Sequence, residues 1–255
     1  MDNVSNAPST TGWPAARRRW VKALGRQLMS VVAALFRRQS LIGAQPVFPS
    51  DVLPWLAEFE THWPEIRQEL EAVLGADIRL PSFHEVSPDQ ARISTGRNWQ
   101  VYPFYTFGDA FAPHCKDCPK TAALLAKVPD LRNAMFSILS PRYHIPAHQG
   151  PTNGIIRIHL PLVVPRDRER CRIRVDKEYV AWELGKAVVF DDYYEHEVWN
   201  DTDDTRVVLF FDVDRPMRPI GRWLNRALIW VFKRTAYIAD AKRNLAAHEA
   251  TARAG

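Results

Sequence analysis

A succession of short apolar runs, each followed by turn-forming or acidic residues, constrains the fold of this chain more than any other feature of its sequence. No helical pattern separates the runs. They occupy residues 135–139, 155–164, 171–175, 187–190 and 206–213. Several short strands joined directly by turns are typical of a β-sandwich or a jelly roll. We therefore expect a mainly β domain built from facing sheets.

The run at 155–164 (IIRIHLPLVV) indicates what lies inside this domain. Alternate residues of a strand point to opposite faces, so Arg157 and His159 share one face. The other face carries Ile156, Ile158, Leu160 and Leu162. Polar side chains that face the interior of a barrel are costly unless they have partners. The pattern predicts that Arg157 and His159 belong to an internal site.

The segments before these strands are predicted to be helical in part. Residues 55–74 have apolar side chains at helical spacing and are followed by Gly75, which predicts one amphipathic helix packed on the outside of the domain. The aromatic run 99–107 predicts a strand, and Pro103 places it at an edge or a bulge. The remaining predictions are a linker at 46–54, loops at 76–98 and 110–119, and a short helix at 120–128.

Both ends of the chain are basic, whereas its middle is acidic. Residues 1–45 hold seven basic residues and one acidic residue, and residues 214–255 hold nine and three. The total of +5 therefore leaves a net charge of −7 for the middle. A nucleic-acid-binding protein would carry its positive charge on the folded body. Basic ends fit contact with an anionic phospholipid surface, or they serve only to keep the chain soluble.

The two ends also have helical patterns. Residues 1–15 are predicted to be disordered, and residues 17–38 form a basic helix. Its uncharged run at 27–36 is shorter than the about 20 residues that span a bilayer, and no secretory cleavage pattern follows it, so an interfacial helix is favoured. Residues 217–255 form a basic amphipathic tail that either lies in a membrane interface or packs on its own domain. Trp20, Trp223 and Trp230 are the candidate interface anchors.

These patterns divide the chain into a terminal segment at 1–45, a central domain at 46–216 and a helical tail at 217–255. The three cysteines, Cys115, Cys118 and Cys171, cannot all pair with one another. The CxxC at 115–118 lacks the second ligand pair of a zinc site and the helix start of a redox motif. We interpret all three as unpaired thiols of a reducing compartment.

Two histidines follow strand-like runs and suggest a metal site. His148 lies in a PAHQGP turn, and His196 follows 48 residues later in DDYYEHE. Non-haem iron is usually held by two histidines and a carboxylate, but the expected carboxylate position, two residues after the first histidine, is Gly150. His148 could instead be a hydrogen-bonded loop residue, and His196 could pair with a neighbouring glutamate at the surface. His144 matches no ligand spacing and is interpreted as a bystander.

Arg206 adds a cation at the start of the last strand, ten residues after His196. A guanidinium group binds a carboxylate with two parallel hydrogen bonds, which suits a dicarboxylate co-substrate in a partly desolvated pocket.

The sequence HIPAHQGPTNGIIRIHLPLVVP, followed by WELGKAVVFDDYYEHEVWND and RVVLFFDVDRP, resembles the aspartyl/asparaginyl β-hydroxylase family of Fe(II)/2-oxoglutarate dioxygenases. The resemblance covers roughly residues 99–216, and the combination of HxGPxxxxxRxHL with FDDxxxHEVWN carries it. It implies a double-stranded β-helix, the jelly-roll or cupin-like fold, with flanking helices. It also accounts for Gly150, because eukaryotic members have two-histidine iron sites with glycine at that position and water completing the coordination.

The resemblance further implies roles for single residues. His148 and His196 would hold Fe(II), and Arg206 and Ser137 would hold the distal carboxylate of 2-oxoglutarate. Arg157 and His159 would face the metal-chelating end of this co-substrate, and Trp99 matches the family only loosely. The implied reaction consumes O2, converts 2-oxoglutarate to succinate and CO2, and hydroxylates an unactivated C–H bond of the substrate.

The family divides by substrate. Some members hydroxylate Asp or Asn side chains of peptides, whereas bacterial relatives 2-hydroxylate acyl chains of lipid A or ornithine lipids. The basic amphipathic ends favour a membrane-lipid acyl chain, with Asp or Asn in a peptide, protein or free amino acid as the alternative. Other small molecules, and a cupin-like protein without activity, are further alternatives. The expected location is the cytoplasm, in peripheral contact with the inner face of an anionic membrane and without nucleic-acid partners.

Overall fold

A computed structural model describes residues 15–76, 78–234 and 243–248. The strands are β1 Val47–Phe48, β2 Trp99–Thr106, β3 Asp109–Ala110, β4 Leu131–Leu139, β5 Tyr143–His148, β6 Ile155–Val163, β7 Cys171–Val175, β8 Glu178–Ala181, β9 Val188–Phe190, β10 His196–Asn200 and β11 Arg206–Asp214. The α-helices are α1 Ala15–Gln39, α2 Leu56–Thr61, α3 Trp63–Gly75, α4 Phe83–Val86, α5 Ala112–Asp117, α6 Pro119–Leu125 and α7 Pro219–Lys233. Short 3-10 helices occupy Ser50–Val52, Pro88–Arg92 and Arg168–Arg170.

The strands form two antiparallel sheets with jelly-roll, cupin-like architecture. The larger sheet has the order β1-β9-β6-β11-β4-β2-β3, and the smaller has the order β5-β10-β7-β8. Chain neighbours such as β4 and β5 lie in different sheets, so the chain crosses repeatedly between them. This arrangement confirms the predicted double-stranded β-helix with flanking helices.

Two apolar layers lie on opposite faces of the larger sheet. One layer packs this sheet against α2, α3 and α6. The other fills the space between the two sheets. Strand β6 shows the division that its alternation predicts, since Ile156 and Ile158 join the helix layer while Arg157 and His159 contact Phe210 of the inter-sheet layer.

The single helix predicted at 55–74 is wrong, because the segment forms α2 and α3 with a break at His62. Pro64 has no backbone N–H, so it cannot continue the ladder of hydrogen bonds, but its fixed φ suits the first turn of a new helix. Gly75 ends α3, and the large apolar residues of the two helices are buried, except that Trp63 is partly buried and Leu74 is exposed. Pro103 lies beside a register shift in β2, as the predicted bulge requires.

Other boundaries also differ from the sequence-based predictions. The linker at 46–54 contains β1 and a 3-10 helix, and the predicted loops at 76–98 and 110–119 contain α4 and α5. Strands β5, β8 and β10 were not predicted. Strand β5 contains Pro146, which is tolerated because this strand lies at the edge of its sheet. All three cysteines are free thiols, as predicted.

The terminal helices pack on the domain and on each other. Helix α1 buries Ala33 and Phe36, and α7 buries Gly221, Asn225 and Ile229. Within the described residues, no helix combines the length and the apolar character needed to cross a membrane. Disorder was predicted for residues 1–15. Ala15 begins α1, whereas residues 1–14 and the side chain of Trp20 lie outside what the structure describes.

Candidate active site

The two predicted metal ligands are brought together by strand pairing. His148 is the last residue of β5, His196 is the first residue of β10, and the two face each other in the antiparallel register. Their ring centroids are 4.1 Å apart, with the ring planes inclined at 55°. His196 is only 2% exposed, so the alternative of a surface pair with a glutamate is wrong. His148 does make a loop hydrogen bond, as its alternative suggested, but it makes this bond beside His196.

Local hydrogen bonds orient both rings in the same way. Nδ1 of His148 lies 2.8 Å from the carbonyl oxygen of Pro146, and Nδ1 of His196 lies 2.9 Å from that of Tyr194. A carbonyl can only accept, so each Nδ1 carries the proton and each Nε2 keeps its lone pair. Burial lowers the pKa of His148 to about 4 and the pKa of His196 well below its ordinary value, and the charge of Arg157 acts in the same direction on both rings. Both imidazoles are therefore neutral, which is the form that binds a metal.

A carboxylate from another strand connection takes the place that Gly150 leaves open. A Cβ atom at position 150 would collide with the carboxylate of Asp192, which is buried. The backbone N–H of Gly150 also donates to the carbonyl of Asp192 at 2.7 Å. Asp192 Oδ1 has no hydrogen-bond partner among the described residues. The Asp192 carboxylate therefore occupies the space where a side chain at position 150 would lie.

Arg157 connects Asp192 with a second buried carboxylate. Its Nη2 lies 3.0 Å from Asp192 Oδ2, and its Nε lies 2.9 Å from Asp212 Oδ1. Asn133 donates to the other oxygen of Asp212 at 3.0 Å. Burial raises the pKa of Asp192 to about 7, and the adjacent Arg157 opposes this rise. Arg157 is therefore held in place by two carboxylates.

Arg206 is a buried cation without an anionic partner among the described residues. It is 1% exposed, and its guanidinium lies 4.6 Å above the ring of Trp182. Its Nε has no hydrogen-bond partner, and Nη1 makes only a long contact of 3.5 Å to the Ser137 carbonyl. Burial lowers the pKa of Arg206 to about 10, and no carboxylate within the described part of the chain offsets it. A buried unpaired guanidinium is costly unless a ligand supplies the missing anion.

Ser137, Trp99 and His159 complete the polar group between the sheets. The indole N–H of Trp99 donates to Ser137 Oγ at 3.0 Å, which leaves the serine proton available to a further acceptor. His159 contacts Phe210 and Trp182, and its Nδ1 has no hydrogen-bond partner among the described residues. Burial lowers its pKa well below the ordinary value, with the charges of Arg206 and Arg157 adding to the effect.

A cavity of about 420 Å³ lies beside Trp99 and His148. His148, Arg157 and Asp192 form part of its polar lining. Its apolar lining includes Phe107, Met135, Ile155, Phe210 and Phe232. Phe232 belongs to α7, so the C-terminal helix forms part of the cavity wall.

The structure therefore gathers the sequence-predicted site residues around the space between the two sheets, with Trp99 bonded to Ser137. His144 is set apart, since its Nε2 contacts Glu197 Oε1 at 2.7 Å and its ring stacks on Trp199. Sequence reasoning missed Asp192, Asp212 and Trp182. The glycine at position 150 was the available signal for Asp192, because a position without a side chain lets another segment pack closely against the backbone.

The residues present fit an iron site of the two-histidine type. Among the described residues, no group of three or more His, Cys, Asp or Glu side chains has the arrangement of a metal site. The fit depends instead on the two neutral imidazoles of His148 and His196, whose Nε2 atoms keep their lone pairs. Imidazole is a ligand that Fe(II) accepts. The unpaired Arg206 fits an anionic co-substrate beside such a metal.

Comparisons with known proteins identify relatives of two kinds. The sequence profile of the aspartyl/asparaginyl beta-hydroxylases matches residues 60–216. The ornithine lipid ester-linked acyl 2-hydroxylase of Rhizobium tropici is 43% identical over 225 residues, which cover 87% of this chain and 80% of that protein. Human aspartyl/asparaginyl beta-hydroxylase is 34% identical over 174 residues, which cover 64% of this chain but 23% of the human protein.

Among solved structures, the cupin domain of Schizosaccharomyces pombe Cnp3 aligns with 47% of this chain and 66% of its own, at a TM-score of 0.32 and 6% identity. This likeness is too low for any argument about function.

Proposed function

The chain belongs to the aspartyl/asparaginyl beta-hydroxylase family, and on that premise we propose that it is an Fe(II)- and 2-oxoglutarate-dependent hydroxylase. The cross-strand pair of neutral imidazoles, His148 and His196, is the observation that carries this proposal. Bound Fe(II), together with 2-oxoglutarate and O2, would supply the oxidant that converts a substrate C–H bond to C–OH, with release of succinate and CO2. The chain's own residues hold and orient the reactants.

Arg206 and Ser137 are proposed to bind the distal carboxylate of 2-oxoglutarate. The guanidinium lacks an anion in the described structure, and the serine hydroxyl has a proton free because Trp99 donates to its oxygen. His159 and Arg157 are proposed to face the keto acid end. Arg157 also fixes Asp192 in the cavity that His148 lines, where its negative charge would offset part of the metal charge. Neighbours of this kind tune a metal site through charge and orientation.

The substrate that we favour is the acyl chain of a membrane lipid, hydroxylated at carbon 2. Its main support is the similarity to the Rhizobium tropici enzyme over 80% of that protein. The cavity also fits this substrate. Its polar lining suits the acyl carbonyl, which adjoins carbon 2, and Met135, Ile155 and Phe210 form an apolar wall for the hydrocarbon tail. An aspartyl or asparaginyl side chain is the second candidate. It is supported by the similarity to the human protein and by Arg157, whose positive charge acts on both histidines.

We also propose that the protein works in peripheral contact with the cytoplasmic face of an anionic membrane. A lipid substrate requires such contact, and the basic charge at both ends of the chain favours an anionic surface.

The test is Fe(II)-dependent release of succinate from 2-oxoglutarate by the purified protein. One assay contains a total phospholipid extract and the other a library of Asp- and Asn-containing peptides. We expect stimulation by lipid, together with a mass increase of about 16 Da on an acyl chain, as insertion of one oxygen atom requires. Stimulation by peptide alone would reject the lipid substrate and favour the second candidate.

The site assignment has its own control within the chain. His148→Ala and His196→Ala should each abolish succinate release, because they remove the proposed ligands. His144→Ala should retain it, because this exposed histidine pairs with Glu197 and stacks on Trp199 outside the site. Equal turnover by His196→Ala and the unchanged protein would refute the assignment.

A further inference from the structure

Helix α7 is attached to the domain along a narrow strip. Gly221, Asn225 and Ile229, spaced four residues apart, are its buried residues. A Cβ atom at Gly221 would collide with Gln39 of α1, so the two terminal helices are in close contact at this point. Asn225 Nδ2 donates to the carbonyl of Gly154 at 2.8 Å. This strip explains how the helix is held, but it uses only a minority of its apolar side chains.

The opposite side of α7 exposes large apolar side chains to solvent. Trp223 is 69% exposed and Trp230 is 56% exposed, and Ile220 and Val231 are also exposed. Helical spacing places these four residues along one side of the helix. Soluble proteins leave such contiguous patches uncovered mainly where another surface binds. The patch therefore indicates a partner that accepts apolar and aromatic groups.

The charges around this patch select the kind of partner. Helix α7 contains no acidic residue, and Arg222 and Arg226 are exposed on it. Arg226 forms an exposed pair with Asp130, whereas Arg222 has no ion pair with any described residue. Arg234, just after the helix, lies over the ring of Trp230 with its Cζ 3.4 Å from the centroid. Basic residues flanking exposed tryptophans are typical of helices that lie in the interface of anionic membranes.

The same helix takes part in the cavity of the candidate active site. Phe232, near the end of α7, lines this cavity together with Met135 and His148. One helix thus carries both the exposed apolar side and a part of the cavity wall. A surface that touched lipid through Trp223 and Trp230 would bring this part of the wall close to the acyl chains.

We propose that the exposed side of α7, defined by Ile220, Trp223, Trp230 and Val231, is the docking surface for an anionic phospholipid bilayer. Arg222 and Arg234 bind the lipid headgroups, and the tryptophan rings enter the interface. The purpose of docking rests on the proposed lipid substrate, because it sets the cavity next to the acyl chain that reacts. Helix α1, which contacts α7 at Gln39, also exposes the apolar side chains of Leu28 and Val31.

The test is co-sedimentation of the full-length protein with vesicles of phosphatidylglycerol and phosphatidylcholine. We expect binding that falls with added salt, and a loss of at least about tenfold in the Trp223→Ala/Trp230→Ala double variant, since burial of the aromatic side chains drives interfacial binding. Both side chains are exposed, so the variant should fold normally. Tyr179→Ala is the matched control, because Tyr179 is a similarly exposed aromatic residue on β8.

Equal vesicle binding by the double variant and the unchanged protein would overturn the proposal. The proposal would also be overturned if a second copy of the chain covered this surface. Sedimentation would then show a dimer that the double variant converts to a monomer, without a change in vesicle binding. Activity on lipid in detergent micelles separates docking from chemistry, because the variant should retain it. Trp-dependent vesicle binding without hydroxylation of any lipid would leave the docking surface in place and reject the proposed substrate.

Discussion

Replacement of Arg206 by methionine tests the most unusual electrostatic feature of the site. The pKa of this buried guanidinium is lowered from 12.5 to about 10 by burial. Each tenfold change in proton affinity equals about 1.4 kcal/mol, so the charged form opposes folding by about 3 kcal/mol. Methionine removes this cost, but it also removes the contact with Trp182, worth about 1 kcal/mol. Without 2-oxoglutarate, the free energy of unfolding should therefore rise by about 1–2 kcal/mol.

The same substitution should remove the response to the co-substrate. Loss of one partner of a buried charge pair costs about 2–5 kcal/mol, which corresponds to at least about 30-fold weaker binding of 2-oxoglutarate. The assay is thermal unfolding with Mn(II), which occupies the site without turnover, over a series of 2-oxoglutarate concentrations. The unchanged protein should be stabilised progressively, as expected for a ligand that binds only the folded state, and the variant should not.

Arg215 provides the matched control, because it is a second buried arginine with all its contacts satisfied. Its Nη2 pairs with Asp191, its Nε donates to the Asn153 carbonyl at 2.6 Å, and its Nη1 donates to the Gly43 carbonyl at 2.9 Å. Arg215→Met leaves a buried carboxylate unpaired and should destabilise the protein by about 3–5 kcal/mol. Destabilisation of similar size by Arg206→Met, or an unchanged response to 2-oxoglutarate, would refute the reasoning.

Three further predictions follow from other contacts. Asp192→Asn should lower Fe(II) affinity about 10–100-fold, as measured by titration calorimetry under anaerobic conditions, because it removes negative charge beside the histidines; unchanged affinity would exclude a role for Asp192. Asn225→Ala should lower the free energy of unfolding by about 0.5–1.5 kcal/mol in urea titrations, because the Gly154 carbonyl loses one of its two donors and keeps the N–H of Arg215. Burial raises the pKa of Cys118 to about 12 and of Cys171 to about 11, so both thiols stay protonated at pH 8; mass spectrometry should find iodoacetamide on Cys115 at most, and rapid labelling of Cys118 would contradict this.

The sequence contained enough information to predict the architecture and much of the site. Period-two alternation in β6 correctly placed Arg157 and His159 inside the domain, because one face of that strand is uniformly apolar. The motif resemblance predicted that His148 and His196 belong to one site although 48 residues separate them, and the pairing of β5 with β10 brings them together. Neither signal depends on exact boundaries, so errors at the ends of the strands did not affect them.

The missed features depend on contacts between segments that are distant in the sequence. Strand β5 was missed because Pro146 is a strand breaker except at a sheet edge, and edges are defined only by the assembled sheet. Asp192 was missed as a site residue because its position relative to Gly150 arises from the packing of two loops. The sequence did not decide whether the C-terminal tail contacts a membrane or its own domain. In the structure α7 packs on the domain through one strip, and its tryptophans remain exposed.

The contacts of the turn after β5 have a consequence for synthesis of the chain on the ribosome. Asn153 donates to the Ala33 carbonyl of α1, which was translated 120 residues earlier, and Gly154 accepts from Asn225, which follows 71 residues later. At about 5–20 residues per second, the N-terminal helix waits roughly 10–40 s before both contacts can form. Until Gly154 has been translated, Phe36 lacks a neighbour that it packs against in the folded protein. The nascent chain therefore exposes Phe36 of this basic helix until more than half of the sequence has been translated.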